Sequence, residues 1–283
     1  MLVFNCTKAA ADFFTTTKNG NKFSCIEPAP EKNIPYDDIK PANVNVLSTH
    51  TAFGNTESPW QWLVHVVKVK RKNIVIVMDC HSRFSMTFSG IKKGDELAFL
   101  NMFEHHITLH ITQMMSVFAD IPGAVEEDVT DEIFDSIECY NNMHTNCAFH
   151  QRGDRSVQAT LNDVVWHFEQ QAHEFGYIAE DFGLIKFDDF INQMLRKNKS
   201  DKQYFSPHHR FLKAWLTDYT DNNTQEIARK ITDFKAIERS IYQEIKEHIE
   251  YAEHITQNKQ DVENTEAIPD NVISLDSYRE KQS

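Results

Sequence analysis

Two short polar clusters interrupt apolar stretches of this 283-residue chain and hold residue types that do chemistry. The first, Asp79-Cys80-His81-Ser82-Arg83, joins two strongly apolar runs. The second, Arg152-Gly153-Asp154-Arg155-Ser156, leads into Leu161-Asn162-Asp163. An aspartate or histidine can serve as a general base, and arginines grip a carboxylate or phosphate through paired N–H donors. Asp79, His81, Arg83, Arg155, Ser156, Asn162 and Asp163 are therefore the candidate pocket for an anionic or polar ligand. The same residues also suit local structure. Asp79 and Ser82 favour a tight turn, Thr160 or Ser156 could cap a helix, and Arg155 could pair with Asp79 or Asp163.

The other constellations are weaker. The chain has 14 histidines, and His106 and His110 stand four apart on an expected helix, a spacing that suits two zinc ligands. Ile107-Thr108-Leu109 lies between them, so the H-E-x-x-H pattern fails and packing is the simpler reading. His208-His209 open a helix, and His144 and His150 with Cys147 between them need a third ligand that sequence does not show. No metal or cofactor is expected. There is no G-x-S-x-G elbow, P-loop or G-x-G-x-x-G, and no pair among the five cysteines is spaced as CxxC.

Charge narrows the partners. The net charge of −13 disfavours a general grip on nucleic acid. It is unevenly spread, with seven bases against Asp79 alone between Lys68 and Lys93, and eight acids without a base between Asp120 and Glu138. The apolar runs are far shorter than the roughly 20 residues of a membrane span. MLVFNCTKAA lacks a basic, then apolar, leader and reads as a first strand. Few, scattered cysteines suit reduced thiols in a cytoplasm.

Alternation and apolar periodicity place these residues on elements. Residues 19–59 are polar and carry Pro28, Pro30, Pro35, Pro41 and Pro59, which reads as a long loop or arm. Trp60–Val67, Ile74–Met78 and Phe84–Phe88 read as an antiparallel meander with a doubly buried middle strand. Leu97–Phe118, Val125–Ile137 and Leu161–Phe175 read as helices, the last closed by Gly176, and Met143–His150 could return to the sheet. The expected fold is thus α+β over 1–178, a small antiparallel sheet packed by helices, followed by an all-helical extension over 179–259. In that extension Phe190–Leu195 mark a short helix, Ser206-Pro207 open another, and Asn223 with Glu226 opens the longest. From Ile227 to Ile255 its apolar residues recur at a mean spacing of 3.5, the coiled-coil value. Residues 260–283 read as a disordered tail with an apolar docking cluster over 272–278.

The elements Asn5-Cys6-Thr7-Lys8, Trp62, Asp79–Phe84 and Arg155–Asp163 occur in an order that resembles an uncharacterised bacterial domain family. The resemblance covers about residues 1–178 and implies a compact α+β domain in a bacterial cytoplasm, with no reaction attached. A longer Pro-rich insertion before Trp60 and the helical extension depart from that family. The preferred reading is a cytoplasmic binding or regulatory protein whose partner, or second copy, engages helix 227–255 and tail 272–278. The alternative is a hydrolase or nuclease-like enzyme using the two clusters.

Overall fold

β-Branched and aromatic residues concentrate in the segments that pair into the main sheet. The computed structural model describes residues 1–28, 59–176, 182–198 and 201–266. Its strands are β1 (Leu2–Cys6), β2 (Thr16–Lys18), β3 (Asn21–Phe23), β4 (Ile26–Pro28), β5 (Trp60–Val69), β6 (Lys72–Asp79), β7 (Ser85–Phe88) and β8 (Cys147–Gln151). Its helices are α1 (Lys8–Phe14), α2 (Glu96–Ser116), α3 (Glu126–Met143), α4 (Arg155–Phe175), α5 (Phe182–Gln193), α6 (Pro207–Tyr219) and α7 (Thr224–Glu266).

The fold is α+β, and β5, β6 and β7 form the expected antiparallel meander, with β6 buried from Ile74 to Asp79. The main sheet, however, is mixed rather than small and antiparallel. Six strands run in the order β4-β8-β1-β5-β6-β7, with β1 parallel to both β5 and β8, and β4 parallel to β8. Parallel neighbours are brought together from distant segments, so no local turn announces them. The stretch read as a loop also contributes structure: β3 completes a hairpin with β2, and β4 forms the far edge of the main sheet. Residues 29–58 of it lie outside the described residues.

Capping chemistry sets several helix starts and stops. Ser206 accepts from the His209 amide ahead of Pro207, and Gly176 closes α4 at φ 77°. Asn223 Oδ1 accepts from the Gln225 and Glu226 amides while Glu226 accepts from the Asn223 amide, a complete capping box. α4 begins earlier than either cap expected from sequence, because Asp154 accepts from the Ser156 and Val157 amides. α5 likewise begins at Phe182, well before the Phe190–Leu195 periodicity.

Met1–Asp233 form one compact unit and Phe234–Ser283 a second. The change in sequence character near 178 falls inside the first. α7 continues through 260–266, where the tail was expected to start, and residues 267–283, including the 272–278 cluster, lie outside the described residues.

Within the first unit, the two sheet faces are packed differently. One face is aromatic: Phe4 meets Phe103 of α2 at 5.0 Å between centroids, and Phe84 stacks on Phe211 of α6 at 4.1 Å. The opposite face sets Leu63, Ile74, Ile76 and Met78 against Val157, Leu161, Val164 and Phe168 of α4 and Leu184, Phe187 and Ile191 of α5.

β7 is an edge strand, and α5 supplies what a seventh strand would have supplied. Asn192 Oδ1 accepts from the Ser85 amide at 2.8 Å, and its Nδ2 donates to the Ser85 carbonyl at 2.7 Å. One turn earlier, Asp188 accepts from the Thr87 amide at 3.1 Å and from the Thr87 hydroxyl at 2.8 Å. All four residues are buried, so water cannot replace these bonds. Asn192→Leu keeps the volume and strands both Ser85 backbone groups, at about 1–3 kcal/mol for each. The expected outcome is a fall in unfolding free energy of about 2–5 kcal/mol, read from the denaturant midpoint.

Candidate functional site

The first cluster folds as the turn between β6 and β7. Asp79 is buried, and both its oxygens serve the turn and its neighbour. Oδ1 accepts from Trp60 Nε1 at 3.0 Å and the His81 amide at 3.4 Å. Oδ2 accepts from the Ser82 amide at 2.8 Å and from the Ser82 hydroxyl. Four donors around one carboxylate are an Asx-type turn extended into a buried network. His81 is exposed on the outside of that turn.

Arg83 joins the two clusters. Its backbone is left-handed at φ 64°, and its amide donates to the Asp79 carbonyl at 3.0 Å. The guanidinium donates to the Cys80 carbonyl, to Asn198 Oδ1 at 3.2 Å and to Ser156 Oγ at 3.3 Å, so it ties the turn to the first turn of α4. The rest of the second cluster does not converge there. Arg155, Asn162 and Asp163 are exposed on α4. Asn162 accepts from Gln158 at 3.0 Å, and Asp163 pairs with Arg196 at 3.3 Å. Arg155 is therefore not the buried bridge to Asp79 or Asp163 that its sequence position allowed.

The histidine pair is also used structurally. Among the described residues no group of three His, Cys, Asp or Glu is arranged to hold a metal. His110 is fully buried, with Nε2 3.4 Å from Asp188 and Nδ1 3.4 Å from Asp189. Burial opposes a charge on His110, but the hydrogen bonds and charges of Asp188 and Asp189 outweigh it and carry its pKa up to about 9. Burial raises Asp188 to about 6, against the pull of His110 and Thr87. His106, one turn away, is pushed down to about 4 by burial and by its histidine neighbours.

A third group of polar residues, not recognised from sequence, occupies one half of a sheet face. The register puts Asn5 beside His150 of β8 and beside Leu63 of β5, and Glu27 of β4 beside His150. Strand alternation then sets Gln61 on the same face, and Asn5 Nδ2 donates to Gln61 Oε1 at 2.7 Å. Asn5, Gln61 and His150 are buried, yet Asn5 Oδ1, Gln61 Nε2 and both ring nitrogens of His150 have no hydrogen-bond partner. Burial lowers the His150 pKa, opposed by Glu27 and the Pro28 carbonyl and reinforced by Arg152, so the ring is neutral near pH 7. At the end of this face Thr7 Oγ1 and His65 Nδ1 lie 2.9 Å apart. A sequence signal existed: Asn5 and Gln61 are polar residues at inward positions of apolar strands.

A mixed six-stranded sheet held between helical layers, with a polar patch that includes the carboxyl ends of β1 and β8, is a frame that commonly carries a binding site. The chain belongs to the family described as Domain of unknown function (DUF6933), whose model matches residues 3–210. That stretch takes in β1 from its second residue, every other strand of the main sheet, both polar clusters and α5, and it ends in the first turn of α6. No curated protein and no solved structure matches the chain.

Two outcomes follow from these roles. Asp79→Asn places an amide against donors and is expected to lower stability by about 2–3 kcal/mol, read by denaturant unfolding. The His110 arrangement sets a pH dependence. Its contribution is complete below the unfolded value of 6.5 and disappears as pH rises through about 9. Asp188, whose pKa is also raised, loses stability in the same direction as pH rises from 3.8 through about 6. Unfolding free energy should therefore fall by up to about 3 kcal/mol between pH 6.5 and 9.5, and His110→Gln should flatten that part of the profile.

Proposed function

We propose that this protein is a cytoplasmic binding protein in which an α+β domain receives a ligand or partner and α7 pairs with a second copy of the chain. The observation that carries the pairing is α7 itself. It is 43 residues long, and only its first turns, up to Asp233, belong to the first compact unit. Ile241 is 45% exposed and Tyr242 70% exposed. An isolated helix draws little stability from propensity in water, so a long helix with an apolar seam is stabilised chiefly by burying that seam. A spacing of 3.5 keeps the seam facing a neighbouring helix along its length, and a second copy offers the same spacing.

Five free cysteines support a reducing compartment. Among the described residues no helix is long and apolar enough to cross a membrane. The hydrolase or nuclease-like alternative draws less support. The Asp79 carboxylate is occupied by the donors of its own turn, and Asp163 is exposed beside Arg196.

Sedimentation of the full chain at tens of micromolar should give a dimer. Ile241→Glu should shift it to a monomer with reduced helicity while the main thermal transition of the rest of the chain is kept. A wild-type protein that sediments as a monomer at that concentration overturns the pairing.

A further inference from the structure

One face of the main sheet changes character halfway across. Over β5, β6 and β7 it is apolar and packed by α4 and α5. Over β8 and β1 and the start of β5 it carries His150, Asn5 and Gln61, each 1% exposed or less. Folded proteins pair buried polar atoms, because each one left without a partner costs about 1–3 kcal/mol. Four such atoms on three neighbouring residues are a concentration that packing alone does not account for. Asn5 and His150 also sit near the carboxyl ends of adjacent parallel strands, a position where open sheets receive ligands, and Gln61 reaches Asn5 from the start of β5.

From this we infer that Asn5, Gln61 and His150 form a binding site for a small organic anion whose inner end is an uncharged donor–acceptor edge. The chemistry of the site sets that class. Asn5 Oδ1 needs a donor and Gln61 Nε2 needs an acceptor, and a neutral imidazole needs one of each. Asn5 Nδ2 and Gln61 Oε1 are already joined, which fixes the outward groups as one acceptor beside one donor. Among the described residues no carboxylate is buried with them; Glu27, the nearest acid in the register, is exposed. A charged inner end would therefore be desolvated without a counter-charge, whereas an amide or nucleobase edge would be satisfied. Arg152 supplies a positive charge next to His150 and is half-buried, the place for a phosphate or carboxylate at the outer end. Nucleoside monophosphates combine both features in one compact molecule.

The test is thermal unfolding of the full chain with the four common ribonucleoside monophosphates, with glutamine and with inorganic phosphate, alongside His150→Phe. Millimolar concentrations of at least one nucleotide or of glutamine should raise the wild-type Tm by several degrees, and phosphate alone should not. His150→Phe removes unpaired polar atoms at similar volume, so its own Tm should rise by about 2–4 °C, and the ligand shift should vanish. If His150→Phe does not fold, Gln61→Met serves as the second variant, with the same loss of ligand shift expected. No shift of the wild type by any nucleotide or glutamine overturns the site and leaves a cluster satisfied by ordered water. A phosphate shift equal to the nucleotide shift overturns the donor–acceptor edge.

Discussion

At the edge of strand β7 one buried carboxylate does three things, and both helical layers depend on it. Asp188 reaches from α5 to the Thr87 amide and hydroxyl, and it also faces the imidazole of His110 on α2. α5 packs on one face of the sheet with Leu184, Phe187 and Ile191, while α2 packs on the other with Phe99 and Phe103. The Asp188–His110 contact therefore passes round the edge of the sheet and joins the two layers. An unpaired edge strand would otherwise be a template for association with other chains. Here Asp188 and Asn192, one helical turn apart, pair with its backbone and side chains. The same arrangement explains a charged pair in so dry a position: the carboxylate has the Thr87 donors as well as the imidazole, so its burial is compensated on two sides.

The turn at Asp79–Arg83 completes this side of the molecule by a related device. A left-handed backbone at Arg83 is unfavourable for a residue with a side chain, and it persists because its surroundings determine it. The Asp79 carboxylate holds the turn from inside, and the Arg83 guanidinium spans from the turn to Ser156 on α4. Residue types that suggest acid–base and anion-binding chemistry are thus engaged in positioning β6, β7 and α4. Family membership fits this economy, since the matched stretch extends through α5, without which β7 would have a bare edge.

The opposite half of the same sheet follows another logic. Around β7 the buried Asp188 and Asn192 of α5 are answered by backbone or side-chain partners, whereas Asn5, Gln61 and His150, together on one face of β1, β5 and β8, hold four unanswered atoms. The satisfied and the unsatisfied polar groups of this sheet are thus separated in space. The helix α7 continues beyond the compact unit that contains the sheet.

Much of the architecture was legible in the chain. Alternation marked β5, β6 and β7, periodicity marked α2, α3 and α4, and Ser206-Pro207, Asn223 with Glu226, and Gly176 marked helix ends, all signals carried within a few residues. Such features depend on local backbone preference and on which face of an element is apolar, and both are written in consecutive residues. The parallel pairing of β1 with β5 and β8 was not legible, because partners from distant segments share no turn. Nor was the fate of the polar clusters. Asp79 and Arg155 look alike as candidates in sequence, yet one is buried among four donors and the other is exposed on a helix. Sequence alone determined the meander strands, the main helices and several of their caps, and the apolar spacing of α7. The tertiary structure decided which carboxylates were used up, that Asp188 would meet both Thr87 and His110, and that Asn5, Gln61 and His150 would share one buried place. A side chain's chemistry depends on its solvent and partners, and those are set by residues far away in the chain.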